Sequence, residues 1–188
     1  MIAIRTLAVI AALAAAGLAA APAQGADRCG HRKARTIRQT ARVRVYEGDF
    51  GVFACARATG RRVHLYDDDG EYDLGEIDLI RGDFVAYDWV RYPTCKDACP
   101  PGVTGSAGTD VTSVRNGHTR ELAASAVDAL VLARSGGAAW LVGGQLWIWT
   151  RTQKRELDSG NIPARSVHRS RGVLHWVRDG QPESARMP

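Results

Sequence analysis

An internal repeat constrains this chain more than any other feature. Shifted by 35 residues against itself, the segment RELAASAVDALVLARSGG at 120–137 falls on RELDSGNIPARSVHRSRG at 155–172. Seven of 18 positions are identical; Arg-Glu-Leu opens both segments and Arg-Ser-x-Gly closes both. A looser copy runs from GRRVHL at 60–65 to LIRGDFVAYDWV at 79–90, stretched by the acidic loop DDDGEY. Within the copies, short runs rich in Val, Ile and Trp alternate apolar with polar residues, the period-two signature of half-buried strands. Long helical patterns are missing after the first 26 residues. Asn116-Gly117 and Asp179-Gly180 each follow Val-Arg and bring the positive φ that tight hairpins need. Each copy reads strand, turn, strand, loop, strand, turn, strand. A period of about 40 residues holding four antiparallel strands is the mark of propeller blades. The expected fold is therefore all-β, with about three blade-like repeats and a half-unit at each end. Closed propellers use more blades, so an open or partial propeller is expected. A β-sandwich or barrel built from the same hairpins is the alternative, as is closure by oligomerisation.

The repeat lies behind a different kind of segment. Residues 1–26, MIAIRTLAVIAALAAAGLAAAPAQGA, place one Arg before an apolar run and finish in small residues, the layout of a secretory signal peptide. Residues 27–41 then form a basic N-terminal segment and 42–188 a single repeat domain with a loop insertion at about 92–108. No later stretch approaches the roughly 18 apolar residues of a membrane span, so the expected product is secreted. The bases are 22 Arg and only 3 Lys in an Ala- and Gly-rich chain, which reads as codon bias and weakens any nucleic-acid reading. Charge is segregated as well: 28–47 hold seven bases and one acid, while 66–88 hold nine acids and one base. Such blocks can face each other across a fold or face a charged partner.

Four cysteines in an exported chain suggest two disulfides. Cys95 and Cys99 lie in a Pro- and Gly-rich loop suited to a small clip, which leaves Cys29 to tie the N-terminal segment to Cys55. A zinc site from Cys29, His31, Cys95 and Cys99 fits by ligand type, but an oxidising compartment disfavours free thiolates.

On these residues the chain resembles secreted β-propeller-like proteins with blades of the TolB or WD-repeat kind. In particular it is similar to Ala- and Arg-rich secreted proteins of actinobacteria that end on a phrase like LDSGNIPARSVHRSRGVLHWVRDGQPESARM. The resemblance spans roughly 40–188, lacks a Trp-Asp or Gly-His signature, and carries no catalytic residues to transfer.

A second echo crosses the repeat: Trp89 with Arg91, Trp149 with Arg151, and Trp176 with Arg178. In a strand, residues two apart share a face, so each pair sets an indole beside a guanidinium, where the two can stack. One reading is structural, with the Trp packed between sheets and the Arg at the strand end. The other is a binding surface for an anionic wall polysaccharide, best represented by Trp147, Trp149 and Arg151. The acidic stretch LYDDDGEYDLGE offers Asp67, Asp69, Asp73 and Glu76 at spacings close to a calcium loop, although Leu65 stands where its first Asp belongs. No catalytic constellation stands out. Ser106 in TGSAG lacks the first Gly of a nucleophile elbow, and the histidines at 31, 64, 118, 168 and 175 show no metal spacing.

The expectation is thus an exported, non-enzymatic β-repeat domain without a cofactor, serving interaction or the cell envelope. Its partner would be a protein or an envelope polysaccharide. The alternatives are a carbohydrate or wall-polymer binding module and a secreted hydrolase.

Overall fold

The structure is a computed structural model and describes residues 28–30, 34–67, 72–74, 79–93, 104–150 and 152–187. The signal-like segment at 1–26, Arg151 and the expected Cys95–Cys99 clip lie outside them. Four antiparallel sheets follow one another along the chain. The first holds β1 (Arg35–Gln39), β2 (Val43–Gly48), β3 (Gly51–Ala56) and β4 (Arg62–Asp67) in sequence order. The second holds β5 (Tyr72–Leu74), β6 (Leu79–Arg81), β7 (Phe84–Arg91), β8 (Ser106–Ser113) and β9 (Thr119–Ala123). Here β5 and β6 pair with opposite ends of β7, so together they act as one interrupted first strand. The third is β10 (Ala129–Leu132), β11 (Ala138–Val142), β12 (Gln145–Trp149) and β13 (Lys154–Ser159), again in order. The last is β14 (His168–Ser170), β15 (Val173–Arg178) and β16 (Gln181–Arg186). One turn of 3-10 helix at Ala164–Ser166 is the only helix among the described residues.

Alternation along the strands explains how the sheets stack. Val85 and Tyr87 of β7 meet Val43, Val45, Val52 and Ala54 of the first sheet, forming one seam. Ala86, between them, points the other way and joins Val111 and Leu122 against Leu132, Ala138 and Trp140 of the third sheet. Ala139, Leu141, Leu146 and Ile148 face onward to Leu174 and Trp176 of the last sheet. The two middle sheets are therefore covered on both faces, which is why AAWLV of β11 is a continuous apolar run rather than an alternating one. Small residues face large ones across the seams, with Ala86 of β7 in one buried cluster with the fully buried Trp140 of β11. Truncating Trp140 to Ala would cost about 3–5 kcal/mol by the usual cavity penalty.

The result is an open, propeller-like row of four sheets, all-β as expected. The sequence repeat is phased differently from the sheets. Arg120-Glu-Leu and Arg155-Glu-Leu lie on β9 and β13, the outer strands of the second and third sheets, and each copy ends in the first hairpin of the next sheet. One copy therefore spans a seam. The half-units at the ends become a complete first sheet and a three-stranded last one.

Turn chemistry held in one place and failed in another. Asp179-Gly180 has φ of 50° and 82°, a two-residue hairpin turn with both residues left-handed. Asn116, by contrast, has no positive φ and only Gly117 is left-handed; Ser113 bonds to both Gly117 and His118, so the loop is longer than two residues. A further tight turn sits at Arg171-Gly172, where a non-Gly residue again takes φ of 48°.

The outer face of the first sheet is covered by the N-terminal segment. Cys29 is joined to Cys55, as expected, closing a loop of 26 residues. A loop of that size contributes roughly 3 kcal/mol in the chain-entropy account. The Arg44 guanidinium completes the attachment, donating to the carbonyls of Cys29 and Ala34 and to Thr36 Oγ1.

Candidate binding site between the second and third sheets

Trp147 and Trp149 are on the same side of β12, as the two-residue spacing requires, and that side faces the second sheet. Both are half-buried in the seam, each paired across the ladder: Trp147 with Trp140 and Glu156, Trp149 with Ala138 and Lys154. They therefore do not form an open platform.

Two cations close over them. Arg120 on β9 faces the seam because Leu122, two residues on, does so, and its guanidinium carbon lies 5.5 Å from the centre of the Trp149 ring. Lys154 Nζ sits 5.3 Å from the Trp140 ring and 5.5 Å from that of Trp147, and donates to the Leu122 carbonyl at 2.7 Å. That carbonyl lies on the edge strand of its sheet, so the lysine bridges the outer strands of neighbouring sheets. Cations over indole faces are worth about 0.5–2 kcal/mol each, more as water is excluded.

Beside Arg120 the seam opens into a cavity of about 190 Å³. Its wall is formed by Phe84, Val111, Ser113 and Arg120 of β7, β8 and β9 and by Asn116, His118, Ser135 and Gly136 of the β8–β9 and β10–β11 connections. The tip of the Phe84 ring packs against Gly136, where an added Cβ would clash with it, so only glycine leaves the ring in the cavity wall. Arg115 and Arg134 are exposed in the same two turns, and Arg61 donates to the Asn116 carbonyl at 3.1 Å. Amide, hydroxyl, imidazole and guanidinium groups thus line the wall, and among the described residues no carboxylate does. Such a lining accepts a neutral polar or anionic group.

The indoles of the other Trp-Arg pairs point the same way, each toward the preceding sheet. Trp176 donates through Nε1 to Asp158 Oδ2 at 2.7 Å, and Arg178 donates to Asp158 Oδ1 at 2.8 Å and to Glu183 at 3.2 Å. Burial alone would push the Asp158 carboxyl up, but Trp176, the Ser159 backbone N–H and Arg178 together hold it below the ordinary carboxylate range. Trp89 packs across Gly108, with Asp110 opposite Tyr87 on the same face. Burial raises the Asp110 carboxyl, the Trp89 indole offsets this in part, and Glu121 adds to the rise. The Tyr87 hydroxyl lies 3.3 Å from Thr112 Oγ1, which is 2.7 Å from Thr119 Oγ1, and burial pushes that phenol up to about 12.

Of the residues singled out in the sequence, Trp147 and Trp149 come together in this seam. For the calcium loop, Asp69 and Glu76 lie outside the described residues; Asp67 ends β4 and Asp73 sits in β5, with their side chains undescribed. Among the described residues, no group of three or more His, Cys, Asp or Glu side chains gathers. Sequence reading missed Arg120, His118, Asn116 and Lys154. Arg120 was visible only as a letter of the repeat, although its place two before Leu122 already put it on the buried side of an edge strand.

No family model matches the chain, and no curated protein matches it. Among solved structures it is similar to an oligogalacturonate lyase in complex with manganese, at 10% identity and a TM-score of 0.39. The likeness covers 77% of this chain and 49% of that one, so the chain spans about half the length of that structure. That protein is an enzyme, which stands against the expectation of a non-enzymatic chain; a likeness of this degree gives this chain neither that activity nor its absence.

Proposed function

We propose that the chain is an exported envelope domain that binds an anionic polysaccharide in the groove between its second and third sheets. The observation that carries this reading is the shared position of Arg120, which covers the Trp149 indole and also lines the cavity. A guanidinium held there offers a fork of donors to a carboxylate or sulfate while the aromatic group behind it limits its motion. His118, Asn116, Ser113 and Ser135 would meet the hydroxyls of the same sugar unit. The cavity is smaller than the roughly 300–1,000 Å³ of ordinary small-molecule sites, which suits one unit of a longer chain. Arg151, two residues beyond Trp149, would extend the basic track. Export is supported by the signal-like segment at 1–26 and by the Cys29–Cys55 bond, which an oxidising compartment favours. In this reading 27–41 is a tethered arm of the 42–188 domain. The proposal concerns recognition and is independent of any turnover of the bound chain.

The test is cosedimentation of the mature, oxidised protein with a purified anionic wall polysaccharide and with a neutral glucan. Wild type should bind the anionic polymer, more weakly as salt is raised. Arg120→Ala should weaken it at least tenfold, with Trp149→Phe intermediate. Binding by Arg120→Ala equal to wild type, or none by wild type, would overturn the proposal.

A further inference from the structure

We infer that the outer face of the last sheet carries a transition-metal site made by His168 and His175. The two are direct partners in the β14–β15 ladder, and their rings stack with centroids 5.2 Å apart at 21° between planes. His168 is exposed and His175 half-exposed, on the side of the sheet opposite the one that Leu174 and Trp176 bury. This site shares no residue with the groove proposed above.

The ring of His168 is already oriented for a metal. Its Nδ1 lies 2.9 Å from the Ser166 carbonyl oxygen, which can only accept, so Nδ1 carries the proton. In the neutral form of the ring, Nε2 is the nitrogen that keeps its lone pair. An imidazole fixed through one nitrogen to a backbone carbonyl while the other faces out is the usual second contact of metal-bound histidines. His175 comes from the neighbouring strand, so the β ladder sets the spacing between the two donors instead of a flexible loop. The third residue in that row, Ser184 of β16, is paired with His175 and exposed, and offers a hydroxyl or a place for bound water. The rest of this face carries Ser170, Val173, Val177, Pro182 and Arg186, with no carboxylate.

A pair of imidazoles without carboxylates selects the cation. Hard, oxygen-seeking Ca2+ and Mg2+ gain little from it, whereas Cu2+, Ni2+ and Zn2+ bind imidazole well, Cu2+ most strongly. Two protein ligands with water in the remaining positions give an open, exchangeable site. Stacked rings do not converge on one ion, so His175 turns about its side-chain bonds to share the metal with His168; chelation by both rings then exceeds binding by either alone, because the second imidazole is held at high effective concentration.

The experiment is a calorimetric titration of the tag-free, oxidised protein with CuCl2, and separately with CaCl2, at pH 7.5, for wild type and four single variants. His168→Ala and His175→Ala should each weaken Cu2+ binding at least tenfold, while His64→Ala and His118→Ala leave it unchanged. Ca2+ should give no saturable heat that depends on either ring. If an alanine variant loses its fold by circular dichroism, the corresponding Asn variant replaces it, with the same tenfold loss expected. Copper binding unchanged in both His168 and His175 variants, equal losses in the His64 or His118 variant, or no saturable copper binding by wild type would each overturn the assignment.

Discussion

Trp89 and Trp176 occupy matching places, the second full strand of a sheet on the side facing the sheet before, and each has a carboxyl group beside its indole. The two carboxyls behave in opposite ways. Asp158 has 10% of its side chain exposed and accepts from the Trp176 indole, the Arg178 guanidinium and the Ser159 N–H, so it is held ionised. Asp110 sits at the same kind of seam with one oxygen buried and no hydrogen-bond partner for it among the described residues. Its neighbours are Trp89, Tyr87 and another acid, Glu121, and it is pushed toward the neutral form. The difference lies in where the arginine goes. Arg178 turns back onto the neighbouring sheet, whereas the groups acting on Asp110 include no cation. One short sequence phrase thus yields an ion pair in one seam and a raised carboxyl in another. The seam between them, with Trp149, holds cations and no carboxylate in its cavity wall, and for that reason it is the one proposed to accept an anion from outside.

The sharpest way to break this comparison is Asp158→Ala. It leaves Trp176 Nε1 and the Arg178 fork without their shared acceptor, and a loss of about 2–3 kcal/mol is expected from orphaned donors to a charged partner. Because the Asp158 carboxyl is held below its unfolded value, its contribution is present above pH 3.8 and lost as the pH falls through the folded value. Urea midpoints measured from pH 6 to pH 2 should fall steeply at the acid end in wild type and less in the variant. Equal acid sensitivity would remove Asp158 from the account.

Asp110→Asn should act in the opposite direction. A carboxyl raised in the folded state contributes stability that is present below pH 3.8 and lost as the pH climbs through the folded value. The amide avoids that loss, so the variant should be more stable than wild type at pH 7, by about 0.5–2 kcal/mol, the range usual for single stabilising changes. At pH 3 the two should be indistinguishable. A destabilised variant at neutral pH would show that the charge at Asp110 is in fact compensated.

A further expected effect is alkaline. Tyr87 ionises at about 12 in the folded chain and at 10.0 unfolded, so the folded state keeps its proton through that window. Stability should decline from pH 10 toward pH 12, and ultraviolet titration should show one tyrosine ionising about two units late. In Tyr87→Phe both signals should vanish.

Much of the architecture was legible because it depends on period and turn chemistry, which are local. The alternation in VRVYEG and QLWIW gave strands with one face inward, and Cys29 and Cys55 were paired correctly from the loop left over by the other two cysteines. The phase of the repeat was not legible, since identical letters mark where strands recur and say nothing of which sheet each joins. For the site, the shared side of Trp147 and Trp149 followed from spacing. What that side faces did not, because an indole at a seam and one on a surface share the same alternation. Arg120 and His118 come to the seam from the second sheet and Lys154 from the third, more than 30 residues on, so their convergence is a product of sheet stacking alone.

The attachment at the other end of the molecule has a consequence of its own. Sheets in an open row gain stability from each neighbour they touch, so the inner two are supported twice and the outer two once. The first sheet recovers part of that deficit through Cys29–Cys55 and the Arg44 contacts, while the three-stranded last sheet has no covalent tie among the described residues. Thermal agitation therefore acts on the row asymmetrically, peeling it from the C-terminal sheet and reaching the disulfide-anchored end last.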